Sequence, residues 1–87
     1  MNQPTITMYM TGWCPYCQRA GALLKQKKAA VTQVDVDDDP KLRQEMIARS
    51  GRRSVPQIFI GDKHIGGCDD LFALDGSGEL DRLLEGP

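Results

Sequence analysis

Two cysteines separated by two residues, in Cys14-Pro15-Tyr16-Cys17, are the side chains of this sequence best suited to chemistry. A thiol is nucleophilic only as its thiolate, and an ordinary cysteine with a pKa of about 8.5 is only a few per cent ionised at neutral pH. A helix N-terminus improves on that, because its unsatisfied N–H groups and its dipole favour negative charge. Pro15 suits the first turn of a helix, where its missing N–H would have no partner. Cys14 then stands at the helix edge and Cys17 one turn inside. The spacing predicts an attacking thiolate at Cys14 and a more buried, protonated thiol at Cys17. Once Cys14 is tied up as a mixed disulfide, Cys17 can attack it and expel the bound thiol. A structural zinc site wants about four ligands. Beyond the pair the chain offers only Cys68 and His64, with no second closely spaced pair, so no metal is expected.

The elements that position the pair follow from apolar periodicity. Ile6, Met8 and Met10 alternate with Thr7 and Tyr9, the pattern of a strand with one buried face. Thr11 and Gly12 form a loop, and Ala20, Leu23 and Leu24 give the following helix an inward stripe. Val31 to Val36 reads as a second strand, parallel to the first because a helix connects them. Asp39 and Pro40 announce a second helix as N-cap and first position, and Gly51 is placed to end it. Asp37, Asp38 and Asp39 therefore read as a loop and a cap rather than a cation site. Gln57 to Ile60 and Lys63 to Ile65 are short strands joined by Gly61 and Asp62, a tight antiparallel hairpin. Cys68, Asp69 and Asp70 open a further helix, Gly76 and Gly78 are expected to break it, and Leu80, Leu83 and Leu84 mark a final helical piece. The order β-α-β-α-β-β-α implies an α/β protein with a mixed sheet covered by helices.

Composition narrows the functional classes. The 87 residues suffice for one domain, so 1–87 reads as a single unit. With 11 Lys and Arg against 12 Asp and Glu, charge is nearly balanced, which argues against nucleic acid or an anionic membrane surface as partner. No apolar run approaches the ~20 residues of a membrane helix, and Met1 to Thr7 lacks the basic start and apolar stretch of a secretory signal. Three cysteines also fit poorly with a disulfide-stapled secreted scaffold, so a cytoplasmic protein is expected.

Three segments in order, Cys14-Pro15-Tyr16-Cys17, Ser54-Val55-Pro56 and Gly66-Gly67-Cys68-Asp69-Asp70, make the sequence resemble the glutaredoxins along nearly its whole length, in their dithiol form and the bacterial glutaredoxin 3 type. The resemblance implies a thioredoxin fold with a four-stranded mixed sheet and helices on both faces. It also implies a glutathione-dependent thiol–disulfide oxidoreductase acting on protein disulfides and glutathionylated thiols. Glutathione would be the reducing cosubstrate, with glutathione reductase serving indirectly, and the protein would act as a monomer. Carried over by position, Pro56 would be a cis proline facing Cys14, and Val55 would offer its backbone to the cysteinyl part of glutathione. Gly67, Cys68 and Asp69 would receive the γ-glutamyl end, and Tyr16 would flank the tripeptide. Asp69 could equally cap its helix. The family commonly has Lys where this chain has Thr11, a position that reaches glutathione, and Trp13 before the first cysteine is more typical of thioredoxins. Arg52 and Arg53 lie beside the Val55-Pro56 turn, where they could supply cationic help for the glycine carboxylate or equally be two solvated loop charges. Two further readings are recharging by thioredoxin reductase and an iron–sulfur dimer held by Cys14 thiolates and glutathione. The dithiol site and the Gly67-Cys68-Asp69 segment favour the first hypothesis over both.

Overall fold

The computed structural model describes residues 4–85. Strand β1 (Ile6–Met10) leads into helix α1 (Pro15–Gln26), strand β2 (Val31–Asp35) and helix α2 (Pro40–Ser50). The hairpin β3 (Gln57–Ile60) and β4 (Lys63–Gly66) follows, and helices α3 (Cys68–Ser77) and α4 (Glu79–Glu85) close the described chain. The sheet runs β2-β1-β3-β4, with β1 parallel to β2 and antiparallel to β3, and β3 antiparallel to β4. This is the mixed order expected, with the last helical region divided in two.

Helix boundaries fall where the local chemistry puts them. Asp39 caps α2 by accepting the Leu42 N–H at 3.1 Å, with Pro40 in the first turn. Gly78 ends α3 with φ of 82°, a left-handed conformation that costs glycine little. Gly76 does not break the helix as expected. Inside a helix glycine costs only about 1 kcal/mol relative to alanine, and here α3 runs through it.

The expectation that β1 has one buried face also needs correcting. Its Ile6 and Met8 join Leu24, Ile58, Leu71 and Leu80 in one core cluster, whereas Tyr9 joins Val36, Met46 and Phe59 in a second. A strand at the centre of a sheet with helices on both sides has no solvent face, and Tyr9 is buried because its hydroxyl is satisfied. That hydroxyl donates to Glu45 and accepts from Arg49 at 2.8 Å, while the Arg49 guanidinium lies 4.1 Å from the Phe59 ring centroid. On the opposite side Lys27, at the C-cap of α1, bridges Asp75 at 2.8 Å and Asp81 at 2.9 Å, tying α1 to α3 and α4.

The β3–β4 pairing contains a register shift. Phe59 faces His64 but Ile58 faces Gly66, so Ile65 is an extra residue in β4. Such bulges bend a strand locally, and this one lies just before Gly67 and the start of α3.

Candidate active site

Cys14 is the N-cap of α1. Its backbone is extended (φ −85°, ψ 118°), and its sulfur accepts the N–H of Cys17 at 3.4 Å. Cys17 is the third helical residue, the position whose amide an N-cap side chain reaches. No acidic residue occupies the first turn of α1, so no carboxylate competes with the sulfur for those amides. The Cys14 N–H in turn donates to Thr11 O at 3.4 Å, closing the turn through Gly12 and Trp13. Both sulfurs are recessed, Cys14 being 6% and Cys17 2% exposed, and both are free thiols. Burial pushes the Cys17 thiol up to about 12, against a lowering contribution from the Thr11 backbone and with further upward contributions from Cys14 and Cys68.

A loop ahead of β3 faces Cys14. The Val55-Pro56 bond is cis, and Val55 O lies 3.9 Å from Cys14 Sγ. The fully buried Gln57 ties this loop down: its amide nitrogen donates to Ser54 O at 2.9 Å and to Ser54 Oγ at 3.3 Å. Its carbonyl oxygen meets His64 Nε2 at 2.8 Å. His64 thus serves the scaffold. Burial, with help from Arg52, lowers its pKa, and its ring stacks 5.0 Å from Phe59.

The third wall is the start of α3. Gly67 is its N-cap, and Asp70 reaches back to accept the Gly67 N–H at 2.9 Å. Arg52 donates to the same Asp70 oxygen at 3.0 Å. The Gly67 amide first, then Arg52, hold the Asp70 carboxyl below the usual carboxylate range. Gly66, at φ 118°, leaves the room this needs, since a Cβ there would overlap the Asp70 side chain. Asp70, not Asp69, is therefore the capping acid, and Asp69 is left exposed. Cys68 packs as a small buried residue whose thiol is pushed up by burial and by Asp69.

Between these walls runs a groove of about 230 Å³ lined by Tyr16, Arg52, Ser54, Val55, Pro56, Gly67, Cys68, Asp69 and Asp70. Of the residues the sequence singled out for glutathione, Tyr16, Val55, Pro56, Gly67, Cys68 and Asp69 are brought together here, beside Cys14. Thr11 is not. Its side chain is buried at the end of β1, in a separate cavity wall shared with Met8 and Cys17, and its hydroxyl makes no hydrogen bond within the protein. A side chain shorter than lysine, turned inward at that point, does not enter the groove. Asp70, Arg52 and Ser54 complete the lining, and an acid three residues after the N-cap glycine, placed to reach back to its amide, was the signal for the first of them. Among the described residues no cluster of three or more His, Cys, Asp or Glu is placed to hold a metal, and no helix is long and apolar enough to cross a membrane.

A cysteine pair opening a helix at the end of a central strand, with a prolyl loop against its first sulfur, defines a thiol–disulfide site on a thioredoxin-like α/β fold. The comparisons with known proteins agree. Residues 6–65 match the glutaredoxin family. The chain is 52% identical over 80 residues to glutaredoxin 3 of Escherichia coli, covering 92% of this chain and 96% of that one. The solution structure of glutaredoxin from Brucella melitensis superposes with a TM-score of 0.85 at 50% identity, covering 97% of this chain and 91% of the other. A crystal structure of the buckwheat glutaredoxin–glutathione complex superposes with a TM-score of 0.86 at 29% identity, covering 94% and 77%. The chain belongs to the glutaredoxin family: it is a glutathione-dependent thiol–disulfide oxidoreductase whose active-site pair is Cys14 and Cys17.

Proposed function

We propose that Cys14 is the attacking thiolate and Cys17 the resolving thiol in reducing protein disulfides and glutathionylated thiols. The observation that carries this reading is the Cys17 N–H aimed at the Cys14 sulfur from the first turn of α1. An amide in that position supports the negative charge an attacking sulfur must bear. Cys14 attacks one sulfur of the substrate disulfide. A Cys14–substrate S–S bond forms, the substrate S–S bond breaks, and the departing sulfur takes a proton from solvent. Cys17 keeps its proton while Cys14 is charged. Mixed-disulfide formation removes that charge and with it one of the influences holding the Cys17 proton. For a protein disulfide, Cys17 then loses its proton and attacks Cys14, expelling the second substrate thiol. Two glutathiones reduce the resulting Cys14–Cys17 disulfide and leave as glutathione disulfide. For a glutathionylated substrate, Cys14 carries the glutathione and a second glutathione releases it.

The groove is suited to the tripeptide. The Val55 backbone faces the cysteinyl part, with Pro56 behind it and Tyr16 along one side. Gly67 N–H is already taken by Asp70, whereas the amides of Cys68 and Asp69, in the first turn of α3, have no intrahelical partner and suit the γ-glutamyl carboxylate. Exposed Asp69 suits its ammonium. Arg52, although paired with Asp70, is half exposed and in reach of a carboxylate at the opposite end. We read residues 1–87 as one catalytic domain working as a monomer in the cytoplasm, without a metal. There glutathione reductase keeps the cosubstrate reduced.

The test is glutathione-dependent reduction of a mixed disulfide coupled to glutathione reductase. Cys14→Ser should reduce turnover to background with every substrate. Cys17→Ser should keep activity on glutathionylated thiols and lose most reduction of protein disulfides. Normal turnover by Cys14→Ser would sink the assignment.

A further inference from the structure

Three of the five aromatic residues are substantially exposed, and two of these flank Cys14: Trp13 is 70% and Tyr16 55% exposed. The third, Phe72, lies on α3. Isolated exposed hydrophobic residues are ordinary. Two large rings within two residues of a recessed nucleophile are a different matter. Cys14 is only 6% exposed, so whatever group carries an incoming disulfide sulfur must come down against the surface that rims it. Tyr16 belongs to the tripeptide groove; Trp13 does not line it.

Trp13 is also held in place. The turn that carries it is closed by Cys14 N–H donating to Thr11 O, so its backbone is tied directly to the reacting residue. At 70% exposure the ring itself is open to an approaching chain. An indole on a fixed backbone loses little conformational freedom on contact, which is what makes tryptophan an effective anchor.

We propose that Trp13 is a contact site for an apolar side chain next to the reactive sulfur of a polypeptide substrate, outside the groove that takes glutathione. The active site is then two-sided. Glutathione is recognised by charge and backbone amides at Val55 and the start of α3, and the polypeptide by burial of apolar surface on the Trp13 ring. Trp13 determines preference among substrates and takes no part in the sulfur chemistry. The proposal rests on Cys14 as the attacking sulfur.

Three probes test it: glutathionylated free cysteine, a short glutathionylated peptide with Leu beside its Cys, and the same peptide with Ser there. The natural protein should favour the Leu peptide over the Ser peptide in kcat/KM by roughly 5- to 30-fold, the scale of losing an aromatic anchor. Trp13→Ala should bring that ratio to about one through KM while changing turnover of glutathionylated cysteine by less than about twofold. Trp13→Phe should retain most of the preference. Trp13 is the only tryptophan, so its emission reports the contact directly. In Cys17→Ser, a Leu peptide held on Cys14 as a mixed disulfide should shift the emission to the blue, whereas glutathione held there should not. An unchanged Leu-to-Ser ratio in Trp13→Ala, an equal loss with glutathionylated cysteine, or a blue shift with glutathione alone would each overturn the proposal. If Cys14 were not the attacking sulfur, Cys14→Ser would keep turnover on all three probes, a result separate from any of these.

Discussion

Two helices begin beside the same groove, each with a cysteine at its start, and they spend their N-terminal amides differently. In α1 the cap is the sulfur of Cys14, no acid occupies the first turn, and the inward amide of Cys17 points at that sulfur. In α3 the cap is Gly67, Asp69 and Asp70 fill the first turn, and Asp70 takes the Gly67 amide while Arg52 neutralises it. Cys68 sits among acids and is buried, and its thiol is pushed up. One helix end is arranged to support charge on sulfur; the other supplies its own anion and keeps its cysteine protonated. A place at a helix N-terminus therefore does not by itself favour a thiolate: burial first, then Asp69, pushes the Cys68 thiol up. Cys14 differs in being the N-cap, where its sulfur accepts the Cys17 amide.

The largest expected effect separates the two cysteines directly. Where Cys14→Ser should remove turnover, Cys68→Ser should leave it within roughly threefold, as for a small packed residue. A loss comparable to that of Cys14→Ser in the coupled assay would make Cys68 a redox centre and erase the contrast.

Next in size is the capping arrangement of α3. Gly66→Ala forces a side chain into a left-handed backbone and against Asp70, and should cost roughly 2–3 kcal/mol in urea unfolding. Asp70→Ala removes the cap and should cost about 1 kcal/mol. Because the new Cβ collides with the Asp70 side chain, the double substitution should cost less than the sum of the two. Strict additivity would show that Gly66 and Asp70 do not share the site.

The smallest effect is a pH dependence. With its carboxyl held below the usual range, Asp70 contributes stability that is present above the ordinary carboxylate pKa and is lost as pH falls through its lowered value. Thermal melts of Asp70→Asn should therefore show a shallower acid limb than the natural protein and converge with it at the lowest pH. An identical acid limb would mean that the Gly67 and Arg52 contacts do not bias its titration.

Much of the molecule was legible in advance wherever the relevant groups lie within a turn of one another. Asp39-Pro40 read as a cap and first residue, and it is one. Apolar alternation located β1, and the Gly61-Asp62 turn located the β3–β4 hairpin, each to within a residue or two. The same reasoning missed Tyr9, whose burial depends on α2 covering the second face and on Glu45 and Arg49 satisfying its hydroxyl. It weighed a capping role for Asp69 where the third helical position, Asp70, takes it. It also placed Thr11 in the groove by analogy with a longer residue, although its own side chain turns inward.

The sequence by itself determined the chemistry available at Cys14 and Cys17, because N-cap and third helical position are one turn apart and covalent spacing sets their geometry. Only the tertiary structure decided what that chemistry faces. Val55 reaches Cys14 from 41 residues away, and Arg52 meets Asp70 across 18. The physical reason is range: helix caps are written in adjacent residues, whereas a groove exists only once the sheet order β2-β1-β3-β4 has set distant strand and helix ends side by side.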